Sequence, residues 1–88
     1  MPETKRMIQG TEGHFEHQRV GVLSAGYDDH GVGFAELAVL TDYGRDRLSL
    51  KRGEEGRLSD GSVLTLNDVL RLPNTGTRAT VEVTIQTA

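Results

Sequence analysis

Residues 45–72, RDRLSLKRGEEGRLSDGSVLTLNDVLRL, carry the clearest alternation and turn signals of the chain. Leu48 and Leu50 alternate with polar residues, which is the period of a half-buried strand. A glycine-flanked acidic turn, Gly53–Gly56, and the dipeptide Asp60-Gly61, a strong hairpin signal, divide the remainder. The stretch therefore predicts a strand, a turn, a short strand, a hairpin turn and a long strand.

Two geometries compete at the hairpin turn. A two-residue turn on Asp60-Gly61 would place Leu58 opposite Val63. A three-residue loop with Gly61 in a bulge instead places three leucines on one face: Leu58, Leu64 and Leu66. A slip of one residue moves every side chain to the other face of the strand. Burying a leucine is worth about 1.5–3 kcal/mol, so we predict the three-residue loop.

The composition fits one small domain rich in strands and turns. The chain has 88 residues, eleven glycines and no cysteine, which excludes disulfides and thiol chemistry. The net charge of −3 and the absence of tryptophan argue against nucleic-acid binding by base stacking. The first ten residues are polar and charged, unlike a signal peptide, and no apolar run is long enough to span a membrane. We therefore expect a cytoplasmic protein.

The first half of the chain predicts further antiparallel strands. We expect residues 1–5 to be disordered and residues 6–88 to form a single all-β domain that begins with a short edge strand. His14–Ala25 predicts a long strand with a bend or bulge near Gly21, because polar residues interrupt its alternation. Phe34–Thr41 is apolar on both faces, which is typical of a strand in the middle of a sheet.

The turn after this strand predicts its register with the next one. A turn centred on Tyr43-Gly44 and a four-residue loop over Asp42–Arg45 give the same pairs: Val39 with Leu48, Leu37 with Leu50 and Glu36 with Lys51. Opposite charges paired across strands add roughly 0.2–1 kcal/mol. We favour the four-residue loop because tyrosine is a poor residue for positive φ.

The last third contains one ambiguous element and one clear strand. Ser62–Leu72 is either a strand with a bulge at Asn67-Asp68, which we favour, or a strand to Leu66 followed by a helical turn. Pro73–Gly76 predicts a turn. Thr77–Thr87 alternates strictly, with four residues facing inward: Ala79, Val81, Val83 and Ile85. The whole chain predicts six or seven short antiparallel strands in a small sandwich or partly open barrel.

The order of turns and strands over Leu48–Leu70 resembles that of short all-β proteins of actinobacterial type. The shared pattern is a strand, a K/R-x-G-E turn (Lys51-Arg52-Gly53-Glu54), a short strand, a D-G turn and alternating apolar residues. Such families commonly carry a tryptophan near the position of Leu64. The resemblance implies a bacterial all-β fold and no activity.

Three clusters of polar residues are candidate sites. His14 and His17 form H-x-x-H, but on a strand they point to opposite faces, which opposes chelation. Asp28, Asp29 and His30 lie in a glycine-rich loop without the EF-hand pattern, so we interpret them as turn residues. The third cluster is a basic patch with interleaved acidic residues, typical of a solvated strand face: Arg45, Arg47, Lys51, Arg52 and Arg57. No nucleotide-binding or serine-hydrolase motif is present, and we expect no catalytic, metal or cofactor site.

These observations favour a non-enzymatic module that acts by protein–protein contact, as an accessory, inhibitor or self-assembling subunit. We predict contacts in the Tyr27–Val32 loop and the Tyr43–Arg47 turn, through Tyr27, Asp28, Asp29, His30, Tyr43, Arg45 and Arg47. The apolar residues on both faces of Phe34–Thr41 also suit a subunit interface. One alternative is a small-molecule binder or enzyme using a barrel interior, with Asp28 and His30 at its mouth. Another is weak nucleic-acid binding through the basic hairpin.

Overall fold

The computed structural model describes residues 2–71, 76 and 78–87, and these form two antiparallel four-stranded sheets. The strands are β1 (Glu3–Ile8), β2 (Glu12–His14), β3 (Arg19–Tyr27), β4 (Gly33–Thr41), β5 (Gly44–Lys51), β6 (Glu55–Arg57), β7 (Val63–Leu70) and β8 (Thr80–Gln86). We call the sheet with strand order β1-β8-β7-β6 sheet I, and the sheet with order β2-β3-β4-β5 sheet II. The predicted all-β sandwich is confirmed. Among the described residues there is no helix long and apolar enough to cross a membrane.

The two sheets enclose a continuous apolar core. The four residues of the C-terminal strand region that were predicted to face inward are all buried: Ala79, Val81, Val83 and Ile85. Leu37 and Val39 of β4 and Leu64 and Leu66 of β7 are also buried, and they pack in the same cluster. Because these side chains fill the space between the sheets, the interior is a packed core that holds the two sheets together.

Residues 45–72 contain the predicted order of strands and turns, with the three-residue loop at Asp60-Gly61, but β6 begins at Glu55, inside the predicted Gly53–Gly56 turn. The N–H of Leu58 donates to the carbonyl oxygen of Ser62 at 2.8 Å, so Ser59, Asp60 and Gly61 form the loop. Gly61 has φ of +85°, a left-handed conformation that glycine adopts without steric cost. This geometry buries the three leucines together, since Leu58, Leu64 and Leu66 are exposed by 3% or less.

The predicted register between β4 and β5 is wrong by two residues. The turn consists of Asp42 and Tyr43 alone, because Thr41 pairs with Gly44 and Leu37 therefore pairs with Leu48. Gly44 takes the positive φ, +141°, and the N–H of Tyr43 donates to Thr41 Oγ1 at 3.1 Å. The tyrosine thus avoids positive φ without the longer loop. A shift of two residues leaves every side chain on its predicted face.

The register correction changes one ion pair. Glu36 stands opposite Ser49, and its Oε1 accepts a hydrogen bond from Arg47 Nη2 at 2.7 Å. The predicted partner, Lys51, lies opposite Phe34 and approaches Asp28 instead, with Nζ 3.8 Å from Oδ2. Three of the four outward positions of β5 are basic, namely Arg45, Arg47 and Lys51. They offered several partners to one glutamate, so charge pairing alone could not select the register.

Two bulges interrupt the strands. Asn67 is the extra residue in β7, between Leu66 and Asp68, which confirms the bulged strand and excludes the helical turn. The bulge in β3 lies at Leu23, between Val22 and Ser24, two residues beyond the predicted position. The described residues form eight strands where the sequence predicted six or seven, because a bend at Glu16-His17 separates β2 from β3.

The N-terminal edge strand begins earlier than predicted. Glu3, Thr4 and Lys5 pair with β8, whereas the sequence analysis placed them in a disordered segment. Thr4 Oγ1 lies 2.7 Å from Thr84 Oγ1, and the Lys5 ammonium lies 5.7 Å from the centroid of the Phe15 ring. The pairing with β8 and the contact with Phe15 hold in place a short polar segment that would not be ordered in isolation. Most of the predicted Pro73–Gly76 turn lies outside the described residues.

Candidate interaction face

The exposed large hydrophobic side chains are concentrated on one part of the molecule. Among the described residues there are six, and all belong to β3, β4 and the two turns that border β4: Leu23, Tyr27, Val32, Phe34, Leu40 and Tyr43. Sheet I contributes none of them. Exposed apolar side chains that occur singly are normal on protein surfaces, and the notable feature of these six is that all of them belong to one sheet and its turns.

The backbone register arranges the outer face of sheet II, the face that points away from the core, in four rows. Each row crosses the strands from β2 or β3 to β5, and its members share the outward orientation. Read in that direction the rows are His14, Arg19, Leu40 and Arg45; Glu12, Gly21, Ala38 and Arg47; Ser24, Glu36 and Ser49; Gly26, Phe34 and Lys51. The second row has no long side chain in its two central positions.

Leu23 joins this face because of the bulge in β3. Val22 pairs with Leu37 and is buried, while Ser24 pairs with Glu36 on the outer face. The extra residue between them has no cross-strand partner, and its side chain is 46% exposed. A bulge re-aims a side chain in this way without disturbing the pairs on either side.

A groove of about 410 Å³ crosses the centre of the face. Gly21 and Ala38 form its floor, and Leu23 and Leu40 form walls on either side. A Cβ atom placed on Gly21 would meet only the carbonyl oxygen of Ala38, at 3.8 Å. The groove therefore owes its depth to two small residues set between two leucines.

The groove is lined by two arginines, Arg19 and Arg45, and by one carboxylate, that of Glu12. Arg19 and Arg45 stand on either side of Leu40 in the first row. In the described part of the chain neither guanidinium takes part in an ion pair, whereas Arg47 pairs with Glu36. Neighbouring strands are about 4.8 Å apart, so the two arginine backbones lie about 10 Å apart with the leucine between them. The face thus combines an apolar groove with two unneutralised cations.

The outer face of sheet I is polar by comparison. Thr84 Oγ1 lies 2.6 Å from Asn67 Nδ2 and 2.7 Å from Thr4 Oγ1, and the Arg6 guanidinium pairs with Glu82 at 3.2 Å. The β7 bulge adds a polar residue to this network, just as the β3 bulge adds an apolar one to sheet II. These polar side chains of sheet I therefore bond to one another within the chain.

The two segments predicted as contact sites lie at opposite ends of sheet II. The 28–32 loop precedes β4 and the 42–43 turn follows it, so the nine residues of β4 separate them by about 26 Å at about 3.3 Å per residue. Tyr43 is 78% exposed at the turn. Arg45 and Arg47 belong to the outer face, and of these two predicted residues Arg45 lines the groove.

The loop end has its own internal organisation. Asp28 Oδ1 accepts hydrogen bonds from the N–H groups of His30 and Val32, each at 2.9 Å. The bond from Val32 is the main reason that the pKa of Asp28 lies below its usual value, and desolvation opposes it to a smaller extent. The bond from His30 and the charge of Lys51 lower it further. Asp29 and His30 occupy the tip of this turn, so Asp28 shapes the loop.

Tyr27 closes the same end of the sandwich. Its hydroxyl donates to the carbonyl oxygen of Val69 at 2.7 Å, and the Arg71 guanidinium lies 5.6 Å from the ring centroid. These contacts join β3 of sheet II to β7 of sheet I. The side chain is 40% exposed, so it offers a partly fixed aromatic surface beside the loop.

The histidines of the H-x-x-H motif do not converge. His14 Nε2 lies 3.1 Å from Glu12 Oε1, and His17 Nε2 lies 3.7 Å from Glu16 Oε1. The residues that the structure describes include no group of three histidine, aspartate or glutamate side chains arranged to hold a metal ion. Both histidines border a second groove, of about 550 Å³, at the β2–β3 bend.

A buried polar contact ties this bend to sheet I. Gln18 is 3% exposed, and its Nε2 donates to Asp60 Oδ2 at 2.9 Å and to Ser62 Oγ at 3.1 Å. Burial alone would raise the pKa of Asp60, but hydrogen bonds from the Ser62 N–H and Gln18 outweigh it and hold that pKa below its usual value. Gln18 therefore fixes the strand that carries Arg19.

Comparison with models of protein families, with curated proteins and with solved structures gave no match.

The contact residues predicted from the sequence did not include Arg19, Leu23, Phe34 or Leu40. The apolar residues on both faces of β4 did indicate an interface, and Phe34 and Leu40 are its outward members. No alternation signal predicts the exposure of Leu23, because an extra residue in a bulge breaks the period on which such a prediction depends.

Proposed function

We propose that this chain acts by protein–protein contact through the outer face of sheet II. The observation that carries the proposal is the confinement of the exposed large hydrophobic side chains to β3, β4 and their turns. The groove, its two leucine walls and its cationic rim give this face the mixture of apolar centre and charged border that protein interfaces show. The packed core between the sheets supports a contact on the outer surface of the domain.

The test is affinity capture from a lysate of the native host, with the full chain as bait and mass spectrometry as readout. A face variant, Leu23→Ser with Leu40→Ser, removes two exposed apolar side chains, and surface changes of this kind alter stability by about 0.5 kcal/mol. A matched control, Val63→Ser with Leu70→Ser, removes two half-buried apolar side chains from sheet I. Circular dichroism would establish that both variants are folded.

We expect one protein to be recovered with the wild type and the control and lost with the face variant. Self-assembly is the same function with a second copy as partner, and sedimentation equilibrium measures it directly. A mass that rises with concentration in the wild type and stays monomeric in the face variant would show it. Identical captures with all three baits, together with a monomer at every concentration, would refute the proposal.

A further inference from the structure

We infer that the groove on sheet II binds an extended acidic segment of the partner, with an apolar side chain between Leu23 and Leu40 and carboxylates on Arg19 and Arg45. This inference rests on the proposed function and adds the chemistry of the partner. It uses the groove and its rim, whereas the proposed function requires only that the face be a contact surface.

The charges on the face select an anionic partner. Four basic side chains point outward from β3 and β5: Arg19, Arg45, Arg47 and Lys51. Arg47 and Lys51 have carboxylate neighbours within the chain, which leaves the two arginines of the first row. A guanidinium matches a carboxylate in a bidentate arrangement. The backbones of the two arginines lie about 10 Å apart, so their long side chains can reach carboxylates two or three residues apart on an extended chain.

The groove itself selects an apolar group. Its floor is a glycine and an alanine, its walls are two leucines, and the volume of about 410 Å³ lies within the range of small-ligand pockets, roughly 300–1,000 Å³. Floor and walls expose aliphatic surface, so removing it from water favours an apolar side chain. A partner that offered only carboxylates would leave this apolar surface exposed to water.

A second copy of the chain fits the face less well. In a two-fold arrangement the groove of one copy would face the groove of the other, with no ridge to fill either. Four unpaired guanidinium groups would also enter one interface, where like charges oppose association. The acidic residues of the face offer little compensation, because Glu36 already pairs with Arg47 and Glu12 supplies one carboxylate against two arginines in each copy.

Nucleic acid also fits less well. Phosphates would suit the arginines, but no aromatic ring lines the groove within the described residues. Base stacking on aromatic side chains supplies much of the affinity in single-strand recognition, and a leucine-walled groove offers no equivalent.

The test is selection from a phage-displayed library of random dodecapeptides on the immobilised full-length chain. We expect the enriched clones to combine aspartate or glutamate with leucine, isoleucine or phenylalanine. A synthetic peptide of the most enriched sequence would then be titrated, and we expect it to shift the amide resonances of β3 and β4. Its affinity should fall as salt concentration rises, because the contacts with Arg19 and Arg45 are exposed.

Two variants test the contact with the charged rim and the contact with the apolar groove separately. Arg19→Glu with Arg45→Glu reverses the rim, and Gly21→Val fills the floor without changing charge. Each should weaken peptide binding about tenfold or more, as the loss of a central contact does. The control Arg57→Glu reverses an exposed arginine of β6 on sheet I and should leave the affinity within about twofold.

Basic or purely apolar clones, no enrichment, or peptide binding that survives both groove variants would overturn the inference. So would tighter binding of a twelve-residue oligothymidylate than of the selected peptide. A captured protein that depends on Leu23 and Leu40, found together with any of these results, would leave the proposed function standing while the inference fails. If the affinity capture and the peptide selection both fail, the proposed function and the inference are both refuted.

Discussion

Replacing Gln18 tests how strongly the β2–β3 bend depends on its buried contact with sheet I. Gln18→Ala removes the hydrogen bonds from Nε2 to Asp60 Oδ2 and to Ser62 Oγ. A hydrogen bond to a charged group contributes about 1.5–3 kcal/mol and one between neutral groups about 0.5–1.5 kcal/mol. Gln18 Oε1 is buried and accepts no hydrogen bond from the described residues, so its removal relieves about 1 kcal/mol or more. We expect a net loss of about 1–3 kcal/mol.

Gln18→Glu makes the same test sensitive to pH. The new carboxylate would take the place of the amide that lies 2.9 Å from Asp60 Oδ2, and two carboxylates this close do not both ionise readily. The pKa of the pair is raised in the folded state, so stability should increase as the pH falls from 7 towards 5. In the wild type the folded-state pKa of Asp60 is lowered. Its stabilising contribution is therefore complete above the usual pKa of about 3.9 and is lost as the pH falls through the folded value.

Urea denaturation followed by far-ultraviolet circular dichroism measures both effects. The free energy of unfolding should be lowest for Gln18→Glu at pH 7, intermediate for Gln18→Ala and highest for the wild type. The total for a domain of 88 residues is about 4–13 kcal/mol, so the differences are measurable. Equal stabilities of the two variants at pH 7, with no gain for Gln18→Glu at pH 5, would refute the proposed contact.

Three further changes follow from the backbone and the charges. Gly33→Ala should lower the free energy of unfolding by about 1–3 kcal/mol, because the new Cβ would lie 2.7 Å from Val69 Cβ. In thermal denaturation the double variant with Val69→Ala should recover part of this loss. A double variant without any recovery would contradict the clash. Gly61→Ala should cost about 1–2 kcal/mol in a urea titration, since φ is +85° there, and an unchanged midpoint would argue against the three-residue loop. Asp60→Asn should weaken the acid-induced loss of stability below pH 4. If the variant and the wild type unfold at the same acid pH, other carboxylates cause this loss.

The core could be predicted from the sequence because burial decides which face each strand turns inward. At Leu58, Leu64 and Leu66 a slip of one residue would have exposed the leucines, so only one loop length was consistent with a buried core. The same argument assigned the inward residues of β8. Local alternation and turn chemistry agreed at these places, and such agreement is what makes a short sequence interpretable.

The β4–β5 register could not be predicted in the same way. Pairing Leu37 with Leu48 or with Leu50 leaves the same residues inside, and Glu36 finds a basic partner in either case. The choice was made by Thr41, which accepts the hydrogen bond of Tyr43 N–H, and by Gly44, which takes the positive φ. These are properties of the folded turn, and the alternation of apolar and polar residues along the strands does not predict them.

The interaction face was predictable only in part. The apolar residues of β4 pointed to an interface, and Arg45 and Arg47 were among the predicted contacts. The groove required three strands in a known register, because Gly21 and Ala38 lie in different strands and become a floor only when they are side by side. Arg19 acquires its place beside Leu40 in the same way.

The two bulges make the surface of this domain adjustable independently of its interior. If Leu23 were deleted, Val22 would still pair with Leu37 and Ser24 with Glu36, and the same holds at Asn67 for the pairs of Leu66 and Asp68. Each extra residue thus changes the outer surface of a sheet without changing the packing of the core. A chain built in this way can acquire a new recognition surface, or lose one, by inserting or deleting a single codon while its core sequence stays as it is.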